Sequence, residues 1–293
     1  MGTLVEIQLY APDEQQAKAA FAAAFARIAQ LDNILSDYKP ESEINRISVS
    51  AVGHPVKVSD DLFRVLEYAQ QLATASGGAF DVTVGPVVRL WREARRQRQL
   101  PDFDLLDAAL SHCGYRKLHV DAAARTVKLD EDGMQLDVGG IAKGFAADEA
   151  LATLKRQGIL SALVAASGDL AFSAPPPGRR GWKIALAAAD APMEVSHAAA
   201  STSGDEQQYL EANGKRYSHI VDPTTGIALT NEITVSVVAP KGVLADGLAT
   251  AISVLGEQRG RRLAAKYSGV SVYIRQGRGA PAGFLSRRAG GSR

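Results

Sequence analysis

Leu136-Asp137-Val138-Gly139-Gly140-Ile141-Ala142-Lys143-Gly144-Phe145-Ala146-Ala147-Asp148 reads as a strand end, a break at two glycines, and the start of a helix. Apolar Leu136 and Val138 flank Asp137, while Ile141, Phe145, Leu151 and Leu154 fall near one face of the helix. Gly158 offers that helix a left-handed stop. Paired glycines leave main-chain groups bare, so a ligand can approach the backbone closely. Lys143 sits one turn into the helix, where free N–H groups already favour an anion. Taken alone, such a turn is more often a packed connection with its lysine in solvent.

Upstream of this stretch, Thr3 to Tyr10 alternates as a strand. Pro12 opens a helix carrying Phe21, Phe25, Ile28, Leu31 and Leu35 at helical spacing. Ser36-Asp37-Tyr38 and Ser42-Glu43-Ile44-Asn45 read as an irregular loop. Ser59 caps a helix that Gly77-Gly78 ends, and Gly78 to Pro86 forms a glycine-bounded turn. Residues 87–98 carry Arg89, Arg92, Arg95, Arg96 and Arg98, read as a solvated helix face in preference to a nucleic-acid site. Asp104 caps a short helix that stops near Gly114, and strands follow at 116–120, 125–130 and 134–138. Downstream, strands are expected near 160–166, 182–188, 193–199, 216–221, 233–239 and 270–275. A helix over 241–255 ends at Gly256. Helices in the first half and meandering strands in the second predict an α+β chain without an internal boundary. A Gly/Arg/Ser-rich tail over 277–293 is expected to be disordered.

Lys plus Arg number 33 and Asp plus Glu 32, so the net charge of +1 excludes bulk attraction to nucleic acid or an anionic surface. A phosphate-handling site therefore has to be built locally. Cys113 is the only cysteine, which leaves no internal disulfide and no cysteine metal site. It reads as a small buried apolar side chain. No apolar run reaches membrane-spanning length. The chain opens directly on a strand pattern, so it is expected either to work in the cytoplasm or to have lost a leader.

Two further pieces carry chemistry. Asp246 and Thr250 stand at i and i+4 on one helix face, and together with a bare carbonyl they make a hard-oxygen set suited to Mg²⁺. An isolated pair of this spacing is more often a back-bonded threonine beside a solvated aspartate. Tyr217-Ser218-His219-Ile220-Val221-Asp222-Pro223-Thr224-Thr225-Gly226 runs from a strand into a turn. Strand alternation puts His219 and Ile220 on opposite faces. A histidine there can act as a base near neutral pH, although a surface histidine without a role is commoner. His54, His112, His119 and His197 lie in no comparable context.

Across nearly the whole chain, motifs in a fixed order resemble the ApbE family of FAD:protein FMN transferases. They are Met1-Gly2-Thr3, Ser36-x-Tyr38, Gly78-Ala79-Phe80-Asp81, Asp137-x-Gly139-Gly140-x-x-Lys143-Gly144, Ser203-Gly204, His219-Ile220-Val221-Asp222-Pro223-x-x-Gly226 and Ala245-Asp246-x-x-Ala249-Thr250. The resemblance implies a single ApbE-like, T-fold-related domain over residues 1–276, with antiparallel sheets and flanking helices. It implies Mg²⁺-dependent transfer of FMN from FAD to a Thr or Ser hydroxyl of an acceptor flavoprotein, with release of AMP. By motif, Met1, Tyr38, Ala79, Phe80, Asp81, Asp137, Lys143 and Ile220 would contact FAD. The Gly140 carbonyl, Asp246 and Thr250 would hold the metal, and His219 would be the base. Gly140 stands where the family usually has Ala, an exchange that a carbonyl ligand should tolerate. Ile220 is expected to meet the cofactor through its backbone, or the strand to twist there. Ala165-Ala166-Ser167-Gly168-Asp169 departs from the family's Gly-Gly-Asp or Gly-Gly-Asn piece and stays outside the candidate site. Kinship also points to a periplasmic or inner-membrane-associated enzyme, attached through a leader absent from this sequence. Hydrolysis of FAD to FMN and AMP, or flavin binding without catalysis, are the competing expectations.

Overall fold

The computed structural model describes residues 3–204 and 208–277. Met1 and the tail from 278 onward lie outside these described residues. The frame is a six-stranded antiparallel sheet in the order β1-β5-β6-β9-β12-β13. Its strands are β1 (Val5–Tyr10), β5 (Ser161–Ala166), β6 (Asp169–Phe172), β9 (Ala198–Ser203), β12 (Ile233–Ala239) and β13 (Ser271–Gln276).

Period-two alternation gives this sheet two apolar faces. Ala162, Val164, Ala171, Ala199, Val235 and Val237 join the main core, under α1 (Glu14–Leu35), α6 (Ala142–Arg156) and α7 (Gly242–Ala264). Leu163, Ala165, Leu170, Phe172 and Ala200 face the other way, against Trp182 and Ile184 of β7 (Trp182–Ile184), which pairs with β8 (Met193–Val195). α6 lies between α1 and α7 and against β5, and α3 (Asp60–Ser76) packs on α7. A separate core forms around Trp91 of α4 (Gly85–Gln97), Leu106 of α5 (Phe103–Ser111), Leu210 of β10 (Tyr209–Ala212) and Val221. β10 pairs with β11 (Lys215–Ser218). The remaining sheet is β2 (Val56–Lys57), β4 (Thr126–Leu129) and β3 (Leu118–Asp121). Among the described residues no helix is long and apolar enough to cross a bilayer.

Several expectations change. The stretch after Ser42 forms α2 (Glu43–Ser50), capped by Ser42 Oγ on Asn45 N and sunk through Ile44 and Ile47. Asp13, one residue past Pro12, caps α1, and Asp102, not Asp104, caps α5. Residues 134–138 run without a strand ladder, held by one bridge from Gln135 to Val84 and by Asp137 N donating to Val82 O at 2.7 Å. The run 193–199 splits into β8 and β9 because His197 takes a left-handed φ of 49°. Residues 241–255 are helical as expected, and Gly256 kinks the chain at φ 73° into a further helical turn within α7. β2, β6 and β10 escaped the sequence reading.

Candidate functional site

The two glycines after Val138 deliver the chain to the N-terminus of α6, which crosses that of α7 at close range. A Cβ on Gly144 would stand 2.1 Å from the Gly242 carbonyl oxygen, so only glycine permits this approach. Each helix is capped by a carboxylate from the other. Gly144 N donates to Asp246 Oδ2 at 3.0 Å, and Gly242 N and Val243 N donate to Asp148 Oδ1 and Oδ2 at 2.7 and 3.0 Å. The N–H expected to await an anion at Gly144 is therefore taken by Asp246. Burial pushes the Asp148 carboxyl up to about 6, against its backbone donors.

Lys143 is not in solvent. Its Nζ lies 3.1 Å from Gly139 O, 3.1 Å from Asp169 Oδ2 and 3.5 Å from Asp246 Oδ1. Burial opposes its charge, and Asp169 and Asp246 more than offset that, so its pKa is raised. The Asp246 carboxyl is raised by burial and by the neighbouring Asp169. Two buried carboxylates thus share one lysine, whose contacts to Asp246 are long. A further cation would relieve that excess negative charge.

Hard oxygens collect at this point. Thr250 Oγ1 lies 3.5 Å from the Gly140 carbonyl oxygen, one helical turn from Asp246. A Cβ on Gly140 would sit 3.0 Å from Thr250 Oγ1 and 3.3 Å from Phe80 Cε2, so glycine leaves the threonine more room than alanine would. Carbonyl, hydroxyl and carboxylate oxygens beside surplus negative charge fit Mg²⁺, a hard cation that keeps part of its water. Among the described residues no cluster of three or more His, Cys, Asp or Glu side chains occurs.

Asp137 is buried at the other end of the glycine turn. Its Oδ1 accepts from Gly139 N at 2.8 Å, and its Oδ2 meets Arg92 Nη2 at 2.8 Å. Arg92 also pairs with Asp37 and lies 4.3 Å from the ring centre of Tyr38, which is 65% exposed. That exposed ring is free to stack. Ala79 and Phe80 are buried, with Phe80 against the glycine turn. Asp81 is committed internally, accepting from Thr83 N and Thr83 Oγ1 at 2.7 Å each.

β11 ends at Ser218, so strand alternation does not carry through His219 and Ile220. Ile220 N donates to Ser218 Oγ at 3.1 Å and its carbonyl accepts from Leu229 N at 2.9 Å. The strand thus breaks off before Ile220, whose N–H is engaged by a local turn. His219 Nδ1 is enclosed without a hydrogen-bond partner. Burial, then the charges of Lys143 and Arg95, push its pKa down to about 4. The imidazole is neutral at physiological pH, the form a base requires.

Three participants escaped the sequence reading. Arg92 and Arg95 turn inward from α4, not out to solvent, because Trp91 anchors that helix: its Nε1 donates to Gly226 O at 2.8 Å and its ring stacks on Tyr217. Trp91 within the arginine run was the available signal. Asp169, set aside with its loop, reaches Lys143 and accepts from Ser201 Oγ. Cys113 is inert, its thiol pushed up to about 12 by burial.

The fold has counterparts. The pattern of the ApbE family matches residues 1–274. A Treponema pallidum protein named FAD:protein FMN transferase is 34% identical, over 93% of this chain and 81% of its own length. A Chlamydia muridarum protein of the same name is 32% identical, over 83% of this chain and 78% of its own. The apo crystal structure of Pseudomonas stutzeri flavinyl transferase ApbE superposes with a TM-score of 0.83 at 30% identity, covering 98% of this chain and 92% of that one. A Thermotoga maritima ApbE protein gives a TM-score of 0.82 at 27% identity, over 94% and 91% of the two chains. By sequence pattern, by relatives and by fold, the chain belongs to the ApbE family.

Proposed function

We infer that this protein is an FAD:protein FMN transferase that moves FMN onto a Thr or Ser hydroxyl of an acceptor flavoprotein and releases AMP. The observation that carries this is the convergence of Gly140 O, Thr250 Oγ1 and the Asp246 carboxylate beside Lys143, with Thr250 Oγ1 3.5 Å from Gly140 O and Lys143 Nζ 3.5 Å from Asp246 Oδ1. Gly140, Asp246 and Thr250 would hold Mg²⁺, which when bound neutralises pyrophosphate charge and stabilises the charge developing on the leaving phosphate.

The acceptor oxygen attacks the flavin-side phosphorus, a new P–O bond forms, and the anhydride P–O bond to AMP breaks in line. The hydroxyl proton passes to the neutral imidazole of His219. A positioned base of this kind contributes about 10²–10⁴-fold, because a hydroxyl is a poor nucleophile at neutral pH. Lys143 adds positive charge on the pyrophosphate side, and Asp169 and Asp246 keep it protonated. Tyr38 offers its exposed face to an aromatic ring of FAD. Asp137 holds the glycine turn through Gly139 N, Phe80 packs against that turn, and Ala79, Asp81 and Ile220 would contribute further contacts to FAD. Kinship with the family supports a periplasmic or inner-membrane-associated location, which fractionation of the native protein would test.

Incubation with FAD, Mg²⁺ and an acceptor flavoprotein, followed by intact-mass analysis, tests the assignment. Covalent FMN on the acceptor with matching AMP is the expected result. AMP released equally without acceptor would make the protein a hydrolase, and bound FAD without AMP would make it a flavin carrier.

A further inference from the structure

Among the described residues at this site, Arg95 is a cation that the fold leaves uncommitted. Lys143 is paired with Asp169 and Asp246, and Arg92 with Asp37 and Asp137. Arg95 has an enclosed Nη1 with no hydrogen-bond partner. A guanidinium nitrogen withdrawn from water without a partner is costly, so a ligand that draws the guanidinium into a hydrogen bond would relieve that cost. Burial and the adjacent Arg92 hold the Arg95 pKa below the usual arginine range, as uncompensated positive charge would.

The position is fixed, not accidental. Trp91, one turn earlier on α4, is pinned to Gly226 O at 2.8 Å and stacked 5.3 Å from Tyr217. Residues four apart share a helix face, so Arg95 looks toward the segment that carries His219. Arg92, three residues back, covers the ring of Tyr38 at 4.3 Å. Arg95 therefore stands within electrostatic reach of both Tyr38 and His219.

The geometry points to Arg95 as the residue that grips the flavin-side phosphate of the dinucleotide, beside His219 and across from the metal ligands. The assignment rests on the flavin-transfer reading above. The flavin-side phosphate is singled out because the base has to reach the hydroxyl that attacks that phosphorus. Arg95 would supply the planar N–H donors that phosphate oxygens accept well.

Riboflavin, FMN and FAD binding, followed by flavin fluorescence with Mg²⁺ present, separate phosphate recognition from ring recognition. Arg95→Gln is expected to weaken FMN and FAD by about tenfold or more and to leave riboflavin unchanged. Arg95→Lys should recover part of the loss by restoring charge without the fork. The unliganded melting temperature of Arg95→Gln should not fall, since no hydrogen bond or ion pair to the described residues is lost. Equal weakening of riboflavin and FMN, or unchanged FMN and FAD binding, would overturn the proposal. So would a rise confined to the KM for the acceptor protein, which would assign Arg95 to an acidic side chain there. A wild-type protein that binds no flavin and releases no AMP would instead sink the transfer reading itself.

Discussion

The two sides of the candidate site are built on opposite plans. At the crossing of α6 and α7, two helix N-termini cap each other through Asp246 and Asp148, and carboxylates outnumber the one lysine between them. Across the glycine turn, α4 presents Arg92 and Arg95 to an exposed tyrosine and an enclosed, neutral histidine. The first side has the surplus negative charge that attracts a divalent cation. The second has the uncommitted positive charge that attracts a phosphate. A nucleotide pyrophosphate with its metal ion is complementary to both at once, and neither side alone would suffice.

If the helix crossing is the metal side, Asp246→Ala should have the largest effect. It removes the one charged ligand, and turnover should fall by more than about 10³-fold with no rescue by added Mg²⁺. Steady-state assay across a Mg²⁺ titration checks this, and rescue at high Mg²⁺ would contradict it. On the other side, His219→Ala should keep FAD binding while slowing transfer by about 10²–10³-fold, read by fluorescence binding and single-turnover kinetics.

The histidine also predicts a pH profile. Its pKa is depressed to about 4 from the ordinary value near 6.5, so the neutral form is already dominant at pH 5. The part of the acid limb that belongs to His219 should lie near pH 4, and a limb at 6.5 that disappears in His219→Ala would refute the enclosed position. Linkage gives the matching stability effect: the neutral ring stabilises the fold above its ordinary pKa, and that contribution is lost as pH falls through about 4.

Smaller effects refine the contrast. Tyr38→Ala should weaken FAD binding about five- to tenfold, the worth of one stacked ring, and slow bound substrate less. Gly140→Ala should be nearly silent. Its Cβ would press on Thr250 Oγ1 at 3.0 Å, and a shift of a few tenths of an ångström relieves it, so the expected change is under about 1 kcal/mol by thermal melting.

The same contrast explains what could be read from the sequence. Asp246 and Thr250 share a helix face by spacing alone, and the paired glycines before Lys143 announce a close approach, so the α6–α7 crossing was legible locally. The long helices, β1, β5 and β12 follow from periodicity for the same reason. What failed was tertiary. Arg92 and Arg95 look like a solvated run until Trp91 is seen to lock α4 against Gly226. Asp169 belongs to β6, whose four residues are all buried and so show no polar alternation, and its partner Lys143 comes from a separate helix. His219 lies just past the end of β11, so the alternation used to orient it had already stopped.

The most direct test is a crystal of the protein grown with FAD and Mn²⁺ in place of Mg²⁺, with the ion located by its anomalous signal. The ion is predicted to touch the Gly140 carbonyl, Thr250 Oγ1 and the Asp246 carboxylate, with pyrophosphate oxygens completing its shell. An ion bound away from those three residues, or a nucleotide lodged outside the space between α4 and the α6–α7 crossing, would contradict the account.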